Sequence, residues 1–287
     1  MKVLVTGGDG QLGTELCLRL RAAGHDAIAF THREADFTRP EAVRTAVTGQ
    51  RADWVVNCAA HTAVDKAESE ADLAYAVNRD GAGALAGAVA GYGGRLIHIS
   101  TDFIFDGAQS HPYREDDAPH PLGVYGASKW AGEQAVRAAL PDAVILRTAW
   151  VHGAHGHNFV RTMLRLAAER DELTVVDDQI GTPSWTGDIA DALIALMDAD
   201  ARGVYHFTNE GVASWYDFAV AILDEARALG FPVKARRVRP IPTAAYPTPA
   251  RRPAYSVLDK QKIRALLGRP IPHWRESLIT MLRELQA

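Results

Sequence analysis

Lys2-Val-Leu-Val-Thr6 is a short β-branched run that stops at glycine, and residues 11–23 then place leucines at 12, 16 and 20, along one helical face. Strand, turn and helix follow from that pattern. Further apolar runs at Ala27-Ile-Ala-Phe30, Asp53-Trp-Val-Val-Asn57, Leu96-Ile-His-Ile99 and Ala143-Val-Ile-Leu-Arg-Thr148 read as strands. The stretches between them read as helices: residues 40–47, a start at Val64, the alanine-rich residues 74–89, and the segment that begins near Tyr125. Alternation of this kind over the first 150 residues predicts an α/β protein with a Rossmann-type, doubly wound parallel sheet that takes ligands at the carboxyl ends of its strands.

After Trp150 the regularity loosens. Residues 159–170 read as a helix, and Leu173-Thr-Val-Val176 as a strand returning to the sheet. Helices are expected at 187–197 and 214–229 with a strand at 204–207 between them, then a proline-rich loop over 240–253. The expected division is a dinucleotide-binding domain over residues 1–150, with the returning strand near 173–176. A smaller α/β domain over 151–287 is mainly substrate-binding.

Composition narrows the ligand. Of 287 residues, 47% are hydrophobic and 23% charged, and the net charge of −4 comes from interspersed acids and bases. No basic stripe suits a nucleic acid and no polybasic segment suits a membrane surface, so a small molecule is expected. Cys17 and Cys58 lie inside apolar segments, the usage of a reduced compartment. The N-terminus enters a strand directly, and no apolar stretch reaches the about 18 residues of a membrane span. A cytoplasmic monomer or homodimer is expected.

Gly7, Gly10 and Gly13 fall in the first strand–helix turn, where glycine permits a tight turn, close approach of backbone N–H groups to a pyrophosphate, and close helix packing. The second strand ends without the acidic residue that would bind a ribose 2′-hydroxyl. Thr31, His32 and Arg33 follow instead, and Arg33 is suited to a 2′-phosphate, which favours NADPH with NADH still possible. Asp36 is placed to reach the adenine amino group. In Tyr125-Gly-Ala-Ser-Lys129 the phenol and ammonium share a helical face, and a neighbouring ammonium lowers a tyrosine pKa towards the range useful for proton transfer. Ser100 and Thr101, at the end of the fourth strand, are placed to hold the same substrate oxygen. His152, His155 and His157 invite a metal reading, but no acidic ligand accompanies them and no metal is expected.

These motifs carry a resemblance. The chain resembles the extended short-chain dehydrogenase/reductases, and within them the dTDP-4-dehydrorhamnose reductase family from end to end. The matching segments are Asn57-Cys-Ala-Ala-His-Thr-Ala-Val-Asp-Lys-Ala-Glu68, Ser100-Thr-Asp102, Arg147-Thr-Ala-Trp150 and Thr248-Pro-Ala-Arg-Arg-Pro253. The resemblance implies a triad of Thr101, Tyr125 and Lys129, with Asp102 and Trp150 at the sugar. It implies cofactor contacts at Gly10, Gln11, Leu12, Asp36, Phe37, Ala60, His61 and Thr62. Position 58 is cysteine where alanine is usual. Some relatives bind a divalent ion through glutamates between subunits; Glu15 is present here, but Gly187 stands where a further ligand would be expected. The implied activity is reduction of the C4 ketone of a dTDP-4-dehydro sugar, a nucleotide-sugar substrate whose diphosphate calls for partners such as Asn158, Arg251 or Arg252 beside the later loops. Two other readings stay open: an epimerase or dehydratase of the same superfamily, and a non-catalytic nucleotide-binding subunit similar to the regulatory subunit of methionine adenosyltransferase.

Overall fold

The computed structural model describes residues 1–286. Six parallel strands form the central sheet in the order Gly203–His206, Val144–Thr148, Arg95–Thr101, Trp54–Asn57, Lys2–Thr6, Asp26–Phe30. The chain builds outward from Lys2–Thr6 to Asp26–Phe30, then crosses to the other side of the first strand, so the order reverses there. That reversal opens a crevice at the strand ends.

Alternate residues of each strand face opposite layers. Val3, Val5, Trp54, Val56, Ile97, Val144 and Leu146 pack against the helices Gln11–Ala22 and Thr186–Asp198. Leu4, Val55, Leu96 and Ile145 pack against Pro40–Gln50, Ala82–Tyr92 and Val124–Ala139. Burial on both faces explains why these strands read as continuous apolar runs.

The strand Glu172–Val176 does not return to this sheet, as the sequence suggested; it pairs with Arg237–Ile241 in a separate two-stranded parallel sheet. Its alternating exposure suits a sheet with one covered face, whereas the central sheet is covered on both. The sixth strand is Gly203–His206 instead. A third apolar cluster joins Glu172–Val176 to the helices Phe159–Glu169, Trp215–Ala228 and Trp274–Glu284. Residues expected as one helix over 74–89 divide into Ala71–Tyr75, a π-helical turn over Ala76–Gly81, and Ala82–Tyr92.

Candidate active site

A cavity of about 840 Å³ lies at the carboxyl ends of the central strands. At one end is the glycine turn. Gly7 adopts φ 65°, Gly10 N–H donates to Gly7 O at 3.0 Å, and the helix Gln11–Ala22 begins at Gly10 with no side-chain cap. Its first-turn N–H groups are therefore left for an anion. A Cβ on Gly13 would lie 2.1 Å from Gly7 O, and one on Gly7 would lie 2.8 Å from Ala59 N. No side chain can fill this cradle, and its shape fits the pyrophosphate of a dinucleotide.

Gln11, Leu12, Asp36, Phe37, Ala60, His61 and Thr62 all line the same cavity, as the resemblance implied. Asp36 accepts from Thr38 N–H at 2.9 Å and Thr38 Oγ1 at 2.7 Å, bonds that hold its carboxyl below the usual range. Arg33 is placed differently: it is exposed on the turn after the second strand, while Thr31 and His32 line the cavity.

Asn78 is buried within the π turn, beside Arg79 and Asp80. Its Oδ1 accepts from His61 N–H at 2.8 Å, and its Nδ2 donates to His61 O at 3.2 Å and to Ser128 Oγ at 2.9 Å. Ser128 Oγ–H in turn donates to Tyr125 O at 2.8 Å. One buried amide thus ties the cavity wall to the helix that carries Tyr125 and Lys129, a use for which π turns are common.

Thr101, Asp102, Tyr125 and Lys129 meet at the middle of the cavity. The expected pairing of ammonium with phenol is absent: Lys129 Nζ donates to Ile99 O at 2.6 Å. Burial pushes the Tyr125 phenol up to about 12, with Thr101 pulling it down and Asp102 raising it further. Burial likewise lowers Lys129 to about 8, opposed chiefly by Glu133. An acid this weak needs the charge that builds on a substrate oxygen before it gives up its proton.

Asp102 is buried, accepts from Thr101 Oγ1 at 3.0 Å, and is raised by burial to about 6. A raised carboxyl favours its protonated form in the fold, so its contribution to stability is complete below about pH 4 and is lost as pH rises through about 6. Asp102→Asn should accordingly raise unfolding stability by about 2–3 kcal/mol at pH 8 and by almost nothing at pH 4, read as a pH-dependent change in Tm. A Tm difference that did not vary with pH would contradict this.

On the far side, Trp150 adopts a left-handed φ of 47°, unusual for so bulky a residue. Its indole stacks on Trp215 with centroids 3.6 Å apart and planes 8° from parallel, and a Cβ on Gly181 would collide with it at 2.6 Å. Asn158 caps the helix Phe159–Glu169 and donates to Gln11 Oε1 at 3.0 Å and Gly153 O at 2.8 Å, joining the two ends of the cavity. Arg251 is exposed and borders a small crevice beside Phe103 and Tyr125 rather than the main cavity. Its neighbour Arg252 lines the main cavity and also a second one of about 450 Å³, and it forms a two-point ion pair with Asp65 at 3.0 and 2.8 Å.

Trp215 lines both cavities too, and sequence alone offered no reason to single it out. Glu15 pairs with Arg19 at 2.6 Å, and the same guanidinium crowds Gly187. His152 is buried against Phe218 and lowered to about 3 by burial, and among the described residues no three His, Cys, Asp or Glu side chains are arranged to hold a metal ion.

A parallel sheet with an uncapped glycine turn at its switch point, facing a tyrosine, lysine and threonine across one cavity, defines an extended short-chain dehydrogenase/reductase. The family model described as RmlD substrate binding domain matches residues 1–287. The chain is 45% identical to dTDP-4-dehydrorhamnose reductase of Burkholderia thailandensis, covering 99% of each, and 42% identical to that of Escherichia coli, covering 99% and 98%. A crystal structure of dTDP-4-dehydrorhamnose reductase from Bacillus anthracis in complex with NADP matches with a TM-score of 0.93 at 38% identity, covering 99% of this chain and all of that one. The chain belongs to the dTDP-4-dehydrorhamnose reductase family.

Proposed function

We propose that this protein reduces the C4 ketone of dTDP-4-dehydro-β-L-rhamnose to give dTDP-L-rhamnose, the final step in making that sugar donor for cell-surface polysaccharide. The observation that carries the reading is the convergence of Thr101, Tyr125 and Lys129 on the cavity that the glycine turn closes. Residues Gly7, Gly10, Gly13, Gln11 and Leu12 would hold the pyrophosphate of NADPH, with Asp36 towards its adenine and Phe37, Ala60, His61 and Thr62 as further contacts. NADPH bound there supplies the hydride.

Tyr125 gives its proton to the oxygen as negative charge develops, and Thr101 donates a hydrogen bond to that oxygen. Together such contributions are worth on the order of 10²–10⁴-fold. Lys129 would hold the nicotinamide ribose. Asp102 and the Trp150–Trp215 wall receive the deoxysugar, whose apolar face suits an indole. The nucleotide half occupies the second cavity, entered past Trp215 and Arg252, with Asn158 and Arg251 as further polar neighbours. Residues after 150 thus serve mainly the substrate, and Arg33, with His32 beside it, favours NADPH over NADH. The enzyme works in the cytoplasm as a monomer or homodimer.

The test is direct. Purified protein mixed with dTDP-4-dehydrorhamnose should consume NADPH in equimolar amount, and NADH more slowly, as followed by loss of reduced nicotinamide absorbance. Product without net cofactor oxidation would indicate an epimerase or dehydratase, and no turnover would sink the reading.

A further inference from the structure

Tyr125, Lys129 and Glu133 recur at four-residue intervals on the helix Val124–Ala139, so they share one face. Glu133 is fully buried, a turn behind Lys129 and away from the cavity lining. Its Oε1 accepts from Ser100 Oγ at 2.5 Å, so this buried hydroxyl, expected from the sequence at the substrate oxygen, is turned to Glu133 instead; Oε1 also accepts from Arg147 Nε at 3.0 Å and Oε2 from Arg147 Nη2 at 2.8 Å. Ser100 and Arg147 are register partners on adjacent strands, and Thr101 is the next residue of the first of them. Arg147 spends its remaining Nη1 on Glu115 O at 3.2 Å and His206 Nε2 at 3.3 Å.

A buried ion pair is a poor way to gain stability, because desolvation offsets most of the attraction and apolar side chains of similar volume do as well. This pair instead joins the helix that carries Tyr125 and Lys129 and the strand that carries Thr101 to the neighbouring strand Val144–Thr148. We propose that Glu133 is a positioning residue for the reduction: clamped by Arg147 and Ser100, it fixes the Lys129 turn against the strand end that presents Thr101, and it is the counter-charge that keeps Lys129 a cation. The proposal rests on the roles assigned above to Tyr125 and Lys129.

The groups that act on Lys129 are Glu133 on its own helix, Cys58 beyond the third strand and His98 on the fourth, with Tyr125 one turn before it. Burial keeps the Cys58 thiol, the Tyr125 phenol and the His98 imidazole uncharged near neutrality, the first two by raising them and the third by lowering it. Glu133 is the negative charge on the side of Lys129 away from the cavity, while the Asp102 carboxyl, raised by burial to about 6, lines the cavity side. Without Glu133, Lys129 loses its proton at lower pH.

Two variants test this, each read by kinetics and by NADPH affinity of the protein without substrate. Glu133→Gln keeps the shape and removes the charge. It should move the alkaline limb of kcat/KM, and the pH at which NADPH affinity is lost, downward by about one unit. Ser100→Ala releases the strand from the helix without stranding a charge, and should lower kcat about tenfold with KM for the sugar and the pH limbs unmoved. A folded Glu133→Gln protein with both wild-type pH profiles overturns the proposal. If that variant does not fold, an unchanged kcat in Ser100→Ala overturns it. Failure of the assigned reaction is separable, since it shows as activity surviving Tyr125→Phe, and the pH dependence of NADPH affinity needs no turnover.

Discussion

Tyr125→Phe should lower kcat by at least about 10²-fold and leave the Kd for NADPH within about twofold of its native value. The substitution removes one hydroxyl from a ring that packs edge-on against Phe103 at 5.5 Å, so the helix and the ring stay where they are. What is lost is the proton. Neither neighbour replaces it readily: the Thr101 hydroxyl is a far weaker acid, and Lys129 is engaged with Ile99 O. Stopped-flow turnover together with an NADPH titration separates the two quantities. Activity above about a tenth of native would show that the proton comes from elsewhere, water or Asp102, and would remove Tyr125 from its central place.

Gly13→Ala should raise the Kd for NADPH by about 10²-fold or more, even though it introduces the best helix former near the start of a helix. Two effects oppose each other. Helix propensity favours alanine by about 1 kcal/mol. Against that stands the new Cβ, 2.1 Å from Gly7 O and 2.9 Å from the Gly8 Cα, both backbone atoms that cannot swing aside. Relief requires opening the turn, at a cost of about 1–3 kcal/mol for overpacking and with the N–H groups no longer aimed together. Steric strain wins, and it acts on the cradle itself. Fluorescence titration with NADPH measures the result, and near-native affinity would mean that the pyrophosphate is held elsewhere.

Most of the sheet was legible because a doubly covered parallel strand is largely apolar, with buried polar residues such as His98 and Arg147 as exceptions. Glu172–Val176 was misplaced since its isolated pattern says strand but not partner; only the register with Arg237–Ile241 decides that. The convergence of the glycine turn, Thr101, Tyr125 and Lys129 on one cavity was legible because each is a residue type that the proposed chemistry calls for. Trp215 was not, since a tryptophan at a helix start has no local reason to line a cavity; Arg252 was a candidate from the sequence, but its pairing with Asp65 was not legible there. Asn78, Glu133 and Arg147 gave a fainter sign, a polar side chain where periodicity asks for an apolar one. Such residues declare a buried bond but not its other end, and the partners of Asn78 lie 17 and 50 residues away.

The sheet's outermost strand, Gly203–His206, comes from the far half of the sequence and hydrogen-bonds beside Val144–Thr148. The helix before it, Thr186–Asp198, covers the same layer as Gln11–Ala22. Consequently no single cut of the backbone yields a self-sufficient nucleotide-binding piece: a fragment ending at residue 150 would lack an edge strand and expose the apolar side of its first helix. On a ribosome, the sheet waits for its last strand until long after its first five have emerged. The repeated passage of the chain between the two halves also braces the cleft at several points, which suits small sliding adjustments around a bound sugar more than a wide hinge-like swing.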